Sequence, residues 1–337
     1  VKTNKPPVLS LKDLADKLMA DDPQLKAHVE EIAQKPLPPD VKTDPWSNEV
    51  MTKEFIDNDF SYSLDTETGA LPDKTPRLMK IYSVAQLATD LLALDRAKSL
   101  AGSLNFNKTP QAISATHYKF IDDKLGGELI VDLDTGNFKF RRNVASASAR
   151  DFEKVDEFID DSYQGRTFKN FLNSKGLLKD QLKEGATTAI YNNAVKKDST
   201  LVTINLWQQN IEDYPIVTPK FNEALIKAVA NNNRASESKH ISLDYIFWPV
   251  DLENFGTYPI KKADEAFEQL KNNEGFIAIE PRTSNVSITK VYLAYYLAEE
   301  FSNYLQPVYV FEGSGFAALV PAVKRAIGEK PQPSTSN

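Results

Sequence analysis

Apolar residues recur along this chain with two alternating periods. Between Ser83 and Leu104, Val84, Leu87, Leu91 and Leu94 lie near helical spacing. Ser83 and Gln86 have the separation of a capping box, so the pattern predicts an amphipathic helix from that point. The period then falls to two in 113–120, in 127–133 (GELIVDL) and in 137–143 (NFKFRRN), which predicts strands. A second helical face starts at Asp151 with Phe152, Val155 and Ile159, and it leads through 167–176 to strand-like stretches at 187–195, 201–209 and 240–250. A third helix is predicted from Ile260, Ala263, Phe267 and Leu270, followed by strands at 286–297, 304–313 and 316–323. The segment 221–232 has helical propensity, yet Ala224, Ile226, Ala228 and Ala230 alternate, which favours a strand.

The order of helix followed by antiparallel strands thus appears about three times. Short turns between strands make antiparallel sheets, and a helix beside each sheet covers its apolar face. The expected fold class is α+β, built of repeated helix-plus-antiparallel-sheet modules. Ahead of them, Leu11, Leu14 and Leu18 and the Asp22–Pro23 helix start suggest a short helical arm, closed by a proline-rich linker. The expected organisation is an arm and linker over 1–40, a first module over 41–150, a larger second part over 151–325 and a polar tail over 326–337.

The stretch closest to known chemistry is Asp134-Thr135-Gly136, the triplet an aspartic protease places around each catalytic carboxylate. Such a dyad needs two carboxylates sharing a proton. No second triplet occurs, and the nearest candidate, 64–69, separates Thr66 from Gly69 by two extra residues. Leu129, Val131 and Leu133 on one side, and Phe138 and Phe140 on the other, instead frame a hairpin turn over 134–137.

Composition narrows the remaining chemistry. The 337 residues are 41% apolar and 26% charged, with a net charge of −7, which argues against nucleic acid as the main partner. The absence of cysteine removes disulfides, thiolate metal sites and thiol nucleophiles. His28, His117 and His240 stand in separate segments, and none belongs to a metal-ligand pair. Asp132 and Asp134 lack the further oxygen ligands of a calcium loop. Ser314 lies in Glu-Gly-Ser-Gly-Phe rather than a nucleophile elbow, and its glycines suit a turn. Glu299 and Glu300 could serve acid–base work only if folded opposite another group. Asn107 and Asn285 head short glycosylation sequons. No catalytic, cofactor or metal residue is expected. The candidates for partner binding are Tyr292, Tyr295, Tyr296, Tyr304 and Tyr309, aromatics that serve either as cross-strand pairs or as a contact face.

Three stretches carry a resemblance: 258–279 with Ala263, Ala266, Phe267 and Leu270; 288–297 ending in Tyr295 and Tyr296; and 304–313, which reads Leu305-Gln306-Pro307-Val308-Tyr309, then Phe311-Glu312-Gly313. Together they resemble extracytoplasmic domains of the YycH/YycI type, regulators of a membrane histidine kinase. The hairpin around 126–140 is similar to PepSY-like modules. The resemblance implies a membrane-anchored, extracytoplasmic protein of stacked helix-and-sheet modules without catalytic residues. It would bind a protein or peptide at the outer membrane face in a regulatory or sensory role. No apolar run approaches the roughly 18 residues that span a bilayer. The chain begins at Val1 rather than Met, and an N-terminal anchor helix is expected upstream. The alternatives are a structural subunit of a surface assembly and a hydrolase using dispersed carboxylates.

Overall fold

The computed structural model describes residues 60–85, 91–107, 109–122, 126–142, 161–232 and 240–324. The expected N-terminal arm, the helix starting at Asp151 and the C-terminal tail lie outside these residues. What is described is a mostly β structure of the α+β class, with two eight-stranded sheets and few helices.

The second sheet in chain order of assembly is the simpler one, and all its pairings are antiparallel. Its strands are β3 (Gln111–Ala112), β4 (His117–Asp122), β5 (Gly127–Asp132), β6 (Phe138–Arg142), β7 (Thr187–Tyr191), β8 (Leu201–Leu206), β10 (Ile226–Asn231) and β11 (His240–Tyr245). Their order is β3-β4-β5-β6-β11-β10-β8-β7. Strands from both sides of residue 150 share it, through β6 and β11, which pair Phe140 with Leu243. The alternation read at 224–230 is indeed a strand, with Ile226, Ala228 and Ala230 buried. One face carries Phe120, Leu129, Val131, Phe138, Phe140 and Leu243, and it is covered by three helices. These are α1 (Ala93–Ser103), α2 (Asp161–Ser174) and α3 (Asp180–Lys183).

Helix α1 differs from its sequence reading. Val84 belongs to a strand, and Leu91 is fully exposed. The helix starts only at Ala93, and it buries Ala93, Ala97 and Ala101. Small residues at i, i+4 and i+8 let the helix axis lie close to the sheet, a face that a count of leucines does not find.

The other sheet gathers strands from both ends of the described chain: β1 (Ser61–Leu64), β2 (Leu78–Val84), β9 (Ile216–Val217), β12 (Val250–Pro259), β13 (Phe276–Ile279), β14 (Asn285–Tyr296), β15 (Tyr304–Gly313) and β16 (Phe316–Pro321). Its main path is β1-β14-β15-β16-β13; β9 also pairs with β14, while β2 joins β15 to β12. The pairings of β1 and β9 with β14 are parallel, so this sheet is mixed. Helix α4 (Ala263–Lys271) packs on it through Ala263, Ala266, Phe267 and Leu270, as the spacing predicts. Ile260 is buried too, but it precedes the helix and bridges to Val323. The second half of β14 and most of β15 are buried on both faces. Leu293, Tyr295, Tyr309 and Phe311 enter one core, while Ala294, Tyr296, Val308 and Val310 enter another.

Candidate functional site

The hairpin at 133–137 shows what the Asp-Thr-Gly triplet does. The Asp132 carboxylate accepts the Asp134 backbone N–H at 3.0 Å and the Thr135 hydroxyl at 2.7 Å. Gly136 sits at φ +73°, a conformation that a Cβ disfavours, and its N–H donates to the Asp132 carbonyl. Asn137 closes the turn, and its side-chain oxygen accepts the Phe247 N–H at 2.9 Å. The Asp132 carboxylate thus gathers a backbone and a hydroxyl donor of its own turn, the chemistry of a turn.

The five candidate tyrosines do not share one surface. Tyr295 and Tyr309 are in the core, their hydroxyls donating to the carbonyls of Lys80 (3.0 Å) and Lys261 (2.8 Å). Tyr296 is buried on the opposite face. Tyr292 is half-buried, 3.5 Å from the Glu312 carboxylate. Tyr304 is exposed, at the first position of β15. Burial, more than any neighbouring charge, raises the phenols of Tyr292, Tyr295 and Tyr296 well above their ordinary range.

The other residues singled out by the sequence lie apart. His117 is exposed, beside the hydroxyls of Ser114 and Thr116. His240 is buried against Phe171, with ring centroids 4.1 Å apart. Glu299 pairs with Lys139 at 2.9 Å and so ties one sheet to the other. Ser314 and Gly315 form the two-residue turn between β15 and β16. Asn285 starts β14, and Asn107 is exposed beyond the end of α1. Among the described residues, no group of three His, Asp or Glu side chains could hold a metal ion. A cleft bordered by Lys220, Glu223, Lys227, Asp244 and Glu299 has room of about 20 Å³, the space of about one water. No helix among the described residues is long and apolar enough to cross a membrane.

The feature that the sequence reading passed over is β12. Its one described strand partner is β2, and Asp251 to Tyr258 are exposed apart from Gly256. Large apolar side chains gather around it. Leu252, Phe255 and Tyr258 on β12 are each more than 40% exposed, as are Leu78 on β2 and Tyr304 on β15. Phe255 packs on Tyr82 with the rings tilted by 57°, and the Lys80 ammonium lies 4.6 Å from its ring centre. That ammonium is itself held by Glu212 at 2.7 Å.

The direction of the β12 backbone groups follows from three contacts. Ile260 donates its N–H to Arg77, on the β2 side. The Pro259 carbonyl accepts from the Lys324 N–H at 2.9 Å, and the Lys261 N–H donates to the Ala322 carbonyl at 2.8 Å, both on the other side. Backbone groups alternate along a strand, so Thr257 and Phe255 turn their N–H and C=O groups outward, away from β2. In agreement, the Lys80 carbonyl opposite Thr257 is used by the Tyr295 hydroxyl instead. A bulge over 252–254 and Pro259 bound this open edge. In the sequence, Leu252, Phe255 and Tyr258 recur at every third residue, a spacing that does not read as a strand.

No family model matches the chain, and no curated protein does. Among solved structures it is similar to an uncharacterised protein from Eubacterium rectale, at a TM-score of 0.42 and 13% identity over 77% of this chain and 86% of that one. This similarity assigns no family.

Proposed function

We propose that this chain is a non-enzymatic, extracytoplasmic partner-binding protein of the YycH/YycI type, with a regulatory or sensory role at the outer face of a membrane. The observation that carries the reading is the outer edge of β12, where no described strand pairs with the backbone groups of Thr257 and Phe255, and apolar side chains surround them. An extended peptide segment of a partner protein fits such an edge. Its main chain adds a strand, and Phe255 and Tyr258 supply contact area on either side. Helices placed on antiparallel strands agree with the module type that the resemblance implies.

The test is a photo-crosslinking residue at Phe255, carried by the full protein in its native envelope. The expected result is one discrete adduct that disappears when Thr257→Pro removes the outward N–H. That substitution leaves the pairing with β2 intact, because Thr257 does not donate to β2. Absence of an adduct, or an adduct indifferent to the proline, overturns the reading.

A further inference from the structure

We propose that the outer edge of β12 accepts β12 of a second copy of this chain, and that a partner segment binds by displacing that copy. This rests on the reading of the edge as a strand acceptor, and it names the occupant when no partner is present. Described groups bound the window at both ends. At one end the Gln181 side chain holds Val250 through its carbonyl and its N–H. At the other, Ile260 bridges to Val323, and the Pro259 carbonyl accepts the Lys324 N–H. Between them, Asn254 to Tyr258 form the stretch that can add a strand.

A two-fold pairing of β12 with itself runs antiparallel, and the bounds of the window select its register. Setting Thr257 opposite its own copy would bring Phe255 against Pro259, whose carbonyl is already taken. Setting Phe255 opposite its own copy would bring Thr257 against Glu253, inside the bulge. With Phe255 opposite Thr257 of the second copy, both outward-turned residues of each strand are used, and each pair exchanges its N–H and C=O groups. The two-fold axis then passes at Gly256, a close pair where side chains would stand nearest. The Tyr258 ring already covers Gly256, where an added Cβ would be 2.6 Å from Cε2 of Tyr258. Glycine on the axis therefore leaves room for the rings of both copies. Where the window ends, Glu253 of one copy comes to Pro259 of the other, beside the partly exposed Lys324 ammonium, an opposite charge. The union also covers Phe255 and Tyr258, the kind of exposed apolar edge that invites pairing.

Sedimentation of the purified full chain tests this with no partner present. The mass should rise from monomer to dimer with concentration. Thr257→Pro should weaken that association about tenfold or more, the factor that about 1.4 kcal/mol represents. The register has its own readout, because the chain contains no cysteine. Phe255→Cys and Thr257→Cys proteins, mixed and mildly oxidised, should link by a disulfide, whereas either alone should not. Facing residues lie about 5.5 Å apart and diagonal ones about 7–8 Å, beyond disulfide reach. A chain that stays monomeric, a dimer indifferent to Thr257→Pro, or equal linking by the single variants overturns the proposal. A monomer that still gives a foreign adduct at Phe255 sinks this proposal and leaves the partner reading standing. A dimer of this register with no foreign adduct removes the partner reading and leaves self-pairing.

Discussion

Arg142 shows how much one side chain can fasten. Its guanidinium, 13% exposed, donates at 2.8 Å to the carbonyls of Leu104, just past α1, and His240, at the head of β11. It lies over the rings of Phe106 and Phe140, and the Asp122 carboxylate is 4.0 Å from Nε. Burial pulls the group below its ordinary pKa, and Asp122 opposes that shift. Planar stacking and forked donors are properties of arginine that lysine does not share. Arg142→Met should therefore cost about 3–5 kcal/mol, because it removes the buried cation beside Asp122 and the donors to two carbonyls. Arg142→Lys should recover only part of the loss. Urea midpoints of the three proteins measure this; a loss for the methionine variant under about 1 kcal/mol would show the cluster to be dispensable. The sequence alone does not separate Arg141 from Arg142. Alternation in β6 does expose Arg141, but Arg142 falls at the strand end where α1 closes over it.

At the scale of elements, close approach decides what a helix can do. Helix α2 lies against β7 at Gly165, where an added Cβ would be 2.1 Å from the Thr187 hydroxyl oxygen. Alanine favours helix over glycine by about 1 kcal/mol, and overpacking costs about 1–3 kcal/mol. Gly165→Ala should thus be net destabilising, and Thr187→Ala in the same chain should restore stability. If calorimetry finds the single variant as stable as the parent, the contact is looser than its geometry says. Helix α3 is only one turn long, but its Gln181 side chain pairs with Val250 twice. It donates to the Val250 carbonyl at 2.6 Å and accepts its N–H at 3.1 Å. An amide side chain here imitates a β-bridge and anchors the start of β12. The turn at 133–137 and the face of α4 could be read in advance, because both depend on residues within a few positions. Strands β1, β2, β12 and β13 could not. Their partners are distant: β1 pairs with β14, matching Ser61 to Asn285. Local propensity carries no information about such a partner.

Over the whole molecule, the first and last described strands belong to one sheet, and the strands of the other sheet lie between them in sequence. Trp248 joins the two, its indole N–H reaching the Ala298 carbonyl at 3.1 Å and its own carbonyl accepting from Gln208 at 2.9 Å. Core tyrosines give the assembly an alkaline limit. Burial raises the phenols of Tyr245, Tyr292, Tyr295 and Tyr296 above the ordinary value of 10.0. As pH rises past that value, the unfolded chain releases these protons while the folded chain still holds them. The folded state then binds more protons than the unfolded one, and the slope of stability against pH is negative. Stability should be flat near about pH 8 and fall steadily above about pH 10. Phenolate absorbance should lag behind free tyrosine until the chain unfolds. An unfolding free energy unchanged between those conditions would mean that the rings ionise in place.

Sequence alone determined the features with short reach: the hairpin turn of Asp132 to Asn137, the alternation of β10 and the apolar stripe of α4. Each follows from backbone geometry acting across a few residues. Tertiary structure decided that the second half of β14 and most of β15 are buried on both faces, which takes Tyr295 and Tyr309 from any surface, and that β12 has one strand partner, β2, among the described residues. The physical reason is that a strand's pattern records which of its positions are apolar, while burial and edge exposure depend on what packs against it from remote parts of the chain.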